Sequence, residues 1–195
     1  LGPIDVLVNN AGIMTVGLIA SESEAAARRQ IDINVHGVIN GTKAVLPSML
    51  ARGKGHIVNV ASAAGKTAYA GGATYCAAKH AVVGFTESLR YEVGAQGIGI
   101  SLVMPGLVAT ELTSGLKVPR GVKAVTPGQV GDEIAMAVER DRFDVFVPRS
   151  LGPATRTLLV LPRRARDRAR AFAHADDFLT EVDHEARAAY ERRAG

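Results

Sequence analysis

The sequence predicts an α/β fold, a three-layer α/β/α sandwich around a parallel sheet. Three observations predict it. Short apolar runs rich in β-branched residues recur at Ile4–Val8, His56–Val60, Ile100–Met104 and Phe143–Val147, the near-continuous pattern of parallel strands buried on both faces. Longer stretches with helical spacing separate these runs, and such alternation implies parallel pairing through right-handed crossovers. The composition agrees: 195 residues, 47 % hydrophobic, with 21 glycines and an aromatic share of 5 %, describe an alanine-, valine- and glycine-rich chain of single-domain size that can bury a core.

The elements follow in order. The chain opens on Leu1 and enters a strand almost at once, so it reads as N-terminally truncated, with an unpaired edge expected at Ile4–Val8. Ser21 and Glu24 have capping-box spacing and open a helix expected to reach Leu50. Ile31, Val35, Val38, Val45 and Met49 form its buried stripe, with Asn34 beside it. His56–Val60 is a strand and Ser62 sits just past its end. Thr74 to about Ala95 is a second long helix with Val82, Phe85 and Leu89 on its apolar face. Ile100–Met104 is a strand closed by Pro105-Gly106, because proline cannot donate to a ladder. Leu107–Val125 has no period and reads as a loop. Thr126-Pro127-Gly128-Gln129 caps a further helix, and Phe143–Val147 is the last strand. From Ser150 the alternation stops. The tail reads as two or three short helices, with Pro162 between them and Val182-Asp183-His184 in the last, packed over or beside the Leu107–Val125 loop. The expected division is a domain over 1–150 and a helical extension over 151–195.

Several functions are disfavoured at once. Of the formal net charge of +4, the basic part lies in the arginine-rich segment 156–170, where six arginines stand against Asp167. No aromatic residue is interleaved for stacking on bases, so this segment reads as a solvated helix face rather than a nucleic-acid site. No apolar run approaches the ~18 residues of a membrane span. Cys76, the sole cysteine, allows no internal disulfide and suits a reducing cytoplasm. The histidines lack metal spacing, and no metal is expected. Gly53-Lys54-Gly55 and the glycines at 94, 97 and 99 lack the context of a phosphate-binding turn, which must open a helix. Ser62 lacks the Gly-x-Ser-x-Gly setting of a hydrolase nucleophile.

The chemistry concentrates between Ser62 and Lys79. Tyr75 and Lys79 are four residues apart at the head of a helix, on one face and one turn apart. A nearby ammonium favours the phenolate, so a lowered tyrosine pKa is expected, as suits a general acid or base. Asn9-Asn10-Ala11-Gly12 closes the first strand, Asn34 lies inside the first long helix, and Pro105-Gly106 with Thr110 follows a later strand. Together these residues resemble the short-chain dehydrogenase/reductase family over roughly Ile4 to Val147, although the family's early glycine-rich turn is absent.

The resemblance implies a Rossmann-like fold and an oxidoreductase that moves hydride between NAD or NADP and a carbonyl or secondary alcohol. Tyr75 is then the proton donor or acceptor. Ser62 hydrogen-bonds the reacting oxygen, and Lys79 holds the nicotinamide ribose and keeps the tyrosine pKa low. The backbone carbonyl of Asn34 would hold a relay water. Asn10, Ala11 and Gly12 line the adenosine side, while Pro105, Gly106, Val108 and Thr110 flank the nicotinamide. Ser62, Ala64, Leu107, Leu112 and Leu116, with Val118, suggest an apolar substrate site under a lid formed by Leu107–Val125. A homodimer or homotetramer through helices 23–50 and 74–95 is implied. The alternative is a catalytically silent fragment or partner subunit that keeps only those oligomerisation helices.

Overall fold

The computed structural model describes residues 2–118, 122–173 and 177–194. Four strands, β1 (Val6–Asn9), β2 (Gly55–Val60), β3 (Ile98–Pro105) and β4 (Asp144–Val147), pair in that order and all in parallel. The register sets Val8 opposite Val58, Val58 opposite Ser101, and Val103 opposite Val145. Successive residues of a strand point to opposite faces, so this register sorts the apolar side chains into two layers. Ile57, Ile98, Ile100, Leu102, Met104 and Phe146 meet α2 (Gly37–Arg52) and α3 (Ala73–Val93) on one face. Val58, Val60, Val103, Val145 and Val147 meet Val130 and Ala137 of α4 (Pro127–Glu139) on the other. This is the parallel three-layer sandwich the alternation predicts.

The first long helix departs from expectation. It is broken into α1 (Glu24–Ile31) and α2 by a π turn at Asp32–His36. Its cap is Ser23, whose hydroxyl accepts from the Ala26 amide at 3.1 Å. The box expected from Ser21 to Glu24 does not form, because the Ser21 hydroxyl turns back to the Leu18 carbonyl and Glu24 pairs with Arg28. α3 stops at Val93, earlier than the expected Ala95. Gly97, at φ +78°, turns the chain so tightly that a Cβ there would stand 2.4 Å from the Gly53 carbonyl oxygen. β3 therefore begins at Ile98, two residues before its expected start, and runs through Pro105. The Thr126/Gln129 capping box opens α4 as expected.

The aperiodic loop is pinned at its base by the Val108–Val125 bridge, and it carries a short 3₁₀ turn at Glu111–Thr113. The tail folds into α5 (Leu151–Val160), α6 (Arg163–Phe172) and α7 (His184–Ala194). Val182 and Asp183 precede α7 rather than belonging to it: Val182 bridges to Leu116, and Asp183 accepts from the Ala186 amide at 3.0 Å. The tail thus packs against the loop as expected. β1 is the outer strand. Its free edge pairs with nothing among the described residues, and Ile4, Val6 and Val8 are 52 %, 44 % and 40 % exposed. No helix among the described residues is long and apolar enough to cross a membrane.

Candidate active site

The parallel sheet aligns the carboxyl ends of its strands, and open α/β sheets bind ligands beyond such ends. Just past β2, Ser62 leaves the strand and caps a 3₁₀ turn at Ala63–Gly65 by accepting from the Ala64 amide at 3.1 Å. That turn lies hard against α3. A Cβ at Gly65 would stand 2.7 Å from the Lys79 carbonyl oxygen and 2.8 Å from Val83 Cγ2, so only glycine admits the approach that brings Ser62 to Tyr75. The spacing of Ser62, Tyr75 and Lys79 carries no hint of this requirement, and sequence reasoning missed it.

Ser62, Tyr75 and Lys79 converge. The Ser62 hydroxyl and the Tyr75 phenol line the same two cavities, and the hydroxyl acts to lower the phenol's pKa. Lys79 Nζ lies 5.7 Å from the Tyr75 ring centroid and donates to the Val60 carbonyl at 3.2 Å. Both Tyr75 and Lys79 are buried. Burial raises the Tyr75 pKa to about 12 against the opposing effect of Ser62, and it draws Lys79 down to about 8. The expected lowering of the tyrosine is therefore corrected: desolvation of both groups outweighs the attraction of the ammonium for a phenolate. At neutral pH the phenol holds its proton. Cys76 is packed beside it, with its thiol pushed up by burial.

Asn34 sits in the π turn, and such insertions recur at functional sites. Its side-chain amide donates to the Ile13 and Gln30 carbonyls at 2.8 and 2.9 Å, which ties the segment after β1 to the helix. Its Oδ1 is buried with no hydrogen-bond partner. A Cβ at Gly12 would stand 2.7 Å from that oxygen and 3.5 Å from Lys79 Nζ. Glycine at 12 thus lets the side-chain oxygen of Asn34 face the lysine across it.

Two cavities meet at this triad. A groove of about 600 Å³ is lined by Asn10, Gly12, Asn34, Lys79, Pro105, Gly106, Val108 and Thr110, and closed by Val130 and Ile134 of α4. Ala11 is exposed and does not line it. A second cavity of about 140 Å³ is mostly apolar, with Met14, Ala64, Tyr69, Leu107, Leu112, Leu151, Phe178 and Leu179 in its wall. Ser62 and Tyr75 belong to both. Leu116 and Val118 do not line the apolar cavity. The Leu116 backbone is spent on the Val182 bridge, and Val118 is half exposed. Met14, Tyr69, Leu151, Phe178 and Leu179 come from distant stretches, and no local pattern singles them out.

The tail ties together the segments that wall this cavity. Arg187, with no exposed surface, donates to the carbonyls of Met14, Leu112 and Ser114 at 2.5, 2.8 and 3.1 Å. The Tyr190 hydroxyl accepts from the Met14 amide at 2.7 Å. One planar guanidinium thereby joins the segment after β1, the lid and α7, a task suited to its fixed fork of donors.

The chain is similar to known proteins in sequence and in fold. The short chain dehydrogenase family model matches residues 1–120. The chain is 37 % identical over 164 residues to the ketoacyl reductase HetN of Nostoc sp., a match covering 83 % of this chain and 56 % of that one. Among solved structures it is similar to a short chain dehydrogenase/reductase from Burkholderia phymatum in complex with NAD (TM-score 0.69, 26 % identity, 80 % of this chain and 65 % of that one). It is equally similar to a short-chain dehydrogenase from Sphingobium yanoikuyae in complex with NADPH (TM-score 0.69, 25 % identity, 83 % and 67 %). The chain spans about half the length of the curated relatives it matches.

Proposed function

Since the chain belongs to the short-chain dehydrogenase/reductase family, we propose that its site reduces a hydrophobic ketone, or oxidises the matching secondary alcohol, with NAD or NADP as the hydride carrier. The observation that carries this reading is the shared wall: Ser62 and Tyr75 stand where the larger groove opens onto the apolar cavity. The groove suits the nicotinamide end of a dinucleotide. Gly106, Val108 and Thr110 would hold the carboxamide, Lys79 the ribose hydroxyls, and Asn10 and Gly12 the adenosine side. When bound, the nicotinamide supplies or accepts the hydride.

The chain's own residues handle the proton. In reduction, Tyr75 gives its phenolic proton to the substrate oxygen while Ser62 donates a hydrogen bond to the same atom. A phenol with a pKa near 12 holds the proton until oxyanion character develops, and Lys79 then steadies the phenolate. Asn34 Oδ1, buried and unpartnered beside the lysine, offers an acceptor for a water that returns the proton. Met14, Leu107, Leu112, Phe178 and Leu179 exclude bulk water and favour an apolar substituent on the carbonyl. Dimers or tetramers through α1–α2 and α3 are part of the same proposal.

The test is nicotinamide oxidation by the purified chain with NADPH or NADH and a medium-chain ketone. Turnover that Tyr75→Phe lowers on the order of 10²–10⁴ supports the mechanism. Turnover untouched by that change overturns it. The open edge and exposed apolar face of β1 favour one second reading, in which the chain is a silent partner subunit that binds no dinucleotide by itself. Titration of NADPH and NADH into the chain, with light scattering in the same buffer, separates the two.

A further inference from the structure

α6 contains no buried residue. Arg163, Arg164 and Arg168 are exposed on it, and Asp167 is its one acidic residue. Apolar side chains stand in solvent at both of its ends: Val160 and Leu161 just before it are 82 % and 37 % exposed, and Phe172 at its close is 89 % exposed. Ten residues of helix extend about 15 Å, so three arginines lie between two apolar ends. Arg164, Arg168 and Phe172, spaced by four, share one stripe.

The opposite side of the helix is anchored. Arg170 donates to the Ala68 carbonyl and lies over the Tyr69 ring, 5.8 Å from its centroid. Tyr69 in turn meets Phe178 edge-on at 5.6 Å, and both line the apolar cavity. α6 is therefore a basic, amphipathic element mounted on the wall of that cavity.

We propose that α6 and the turn before it dock the protein on an anionic lipid surface. Val160, Leu161 and Phe172 enter the boundary between headgroups and acyl chains, and Arg164 and Arg168 pair with lipid phosphates, the pattern of an interfacial helix. Lipid is favoured over nucleic acid because two of the three apolar groups are aliphatic and offer no stacking surface for bases. It is favoured over a second copy because a two-fold contact centred on this stripe would set Arg168 against its own copy with no carboxylate on the stripe to pair with either. The docking stands apart from the activity proposed above, so failure of one leaves the other in place.

Flotation of the whole chain with vesicles decides it. The expected result is binding to vesicles of equal parts phosphatidylcholine and phosphatidylglycerol at low salt, release as salt rises, and no binding to phosphatidylcholine alone. Each arginine near an anionic surface contributes about fivefold. Arg164→Glu/Arg168→Glu should therefore lower partitioning by more than about 25-fold, and Phe172→Ser by about tenfold. Reversal of two exposed lysines elsewhere, Lys43→Glu/Lys54→Glu, should leave most of it. No flotation with the mixed vesicles, or equal losses in the two double variants, overturns the proposal. So does arginine-dependent self-association or nucleic-acid capture without lipid binding. The salt titration of the unaltered protein keeps the test decisive should the double reversal fail to fold.

Discussion

Replacing Lys79 with methionine should stabilise the protein at neutral pH while removing its activity. The lysine is buried, and burial draws its pKa from 10.5 to about 8. At 1.36 kcal/mol for each tenfold change in proton affinity, keeping that ammonium charged in the folded state costs roughly 3 kcal/mol. Methionine has similar length and no charge to desolvate. It forfeits the 3.2 Å hydrogen bond to the Val60 carbonyl, worth about 1 kcal/mol, which leaves a net gain of about 2 kcal/mol. For a chain of this size that is a Tm increase of about 4–8 °C. The sign with pH is definite. Between about pH 8 and 10.5 the unfolded lysine still holds a proton that the folded one has released, so the parent's stability rises with pH across this window and the variant's does not. Calorimetric melts of both proteins at pH 7 and pH 10 measure the effect. The methionine chain should lead at pH 7 and have lost that lead by pH 10. A variant destabilised equally at both pH values would refute the claim that Lys79 is a strained, functional charge, because a lysine that only packs and hydrogen-bonds shows no such pH dependence.

Further substitutions probe how the site is held. Gly65→Ala should cost about 1–3 kcal/mol in denaturant melts, because its Cβ would meet the Lys79 carbonyl oxygen at 2.7 Å; kcat should fall with it as Ser62 is pushed from Tyr75. Arg187→Ala leaves three carbonyls without their buried donor and should cost about 3–5 kcal/mol, with KM rising more than kcat falls because Met14 and Leu112 line the cavity; Arg187→Lys, which lacks the planar fork, should recover only part of this. Phe178→Ala should enlarge the cavity and shift preference toward bulkier ketones in a substrate series. An unchanged order of preference would place Phe178 outside the specificity wall.

Much of the fold was legible because local rules carried it. Val58-Asn59-Val60 and Val103-Met104 read as buried parallel strands, Thr126-Pro127 as a helix start, and Pro105-Gly106 as a strand end, each from residues adjacent in the chain. Boundaries shifted where a tertiary contact intervened. The first long helix carries the expected apolar stripe, yet the π turn at Asp32–His36 breaks it, and nothing in the period of that stripe marks the insertion. Helical spacing likewise put Tyr75 and Lys79 on one face, because they share a turn of helix.

What the sequence by itself determined was the strand and helix alternation, the Ser62, Tyr75 and Lys79 set, and most of the groove residues after the strands, since these depend on period, spacing and strand ends. The tertiary structure alone decided the protonation of the site and the shape of the cavity. Tyr75 and Lys79 titrate away from their ordinary values because both are desolvated, a property of everything packed around them rather than of their spacing. The cavity owes its walls to Met14, Leu151, Phe178 and Leu179 and the tie between Met14 and Leu112 to Arg187, residues far apart in the chain. Burial and long-range contact are set by all the elements together, and no local stretch of sequence contains them.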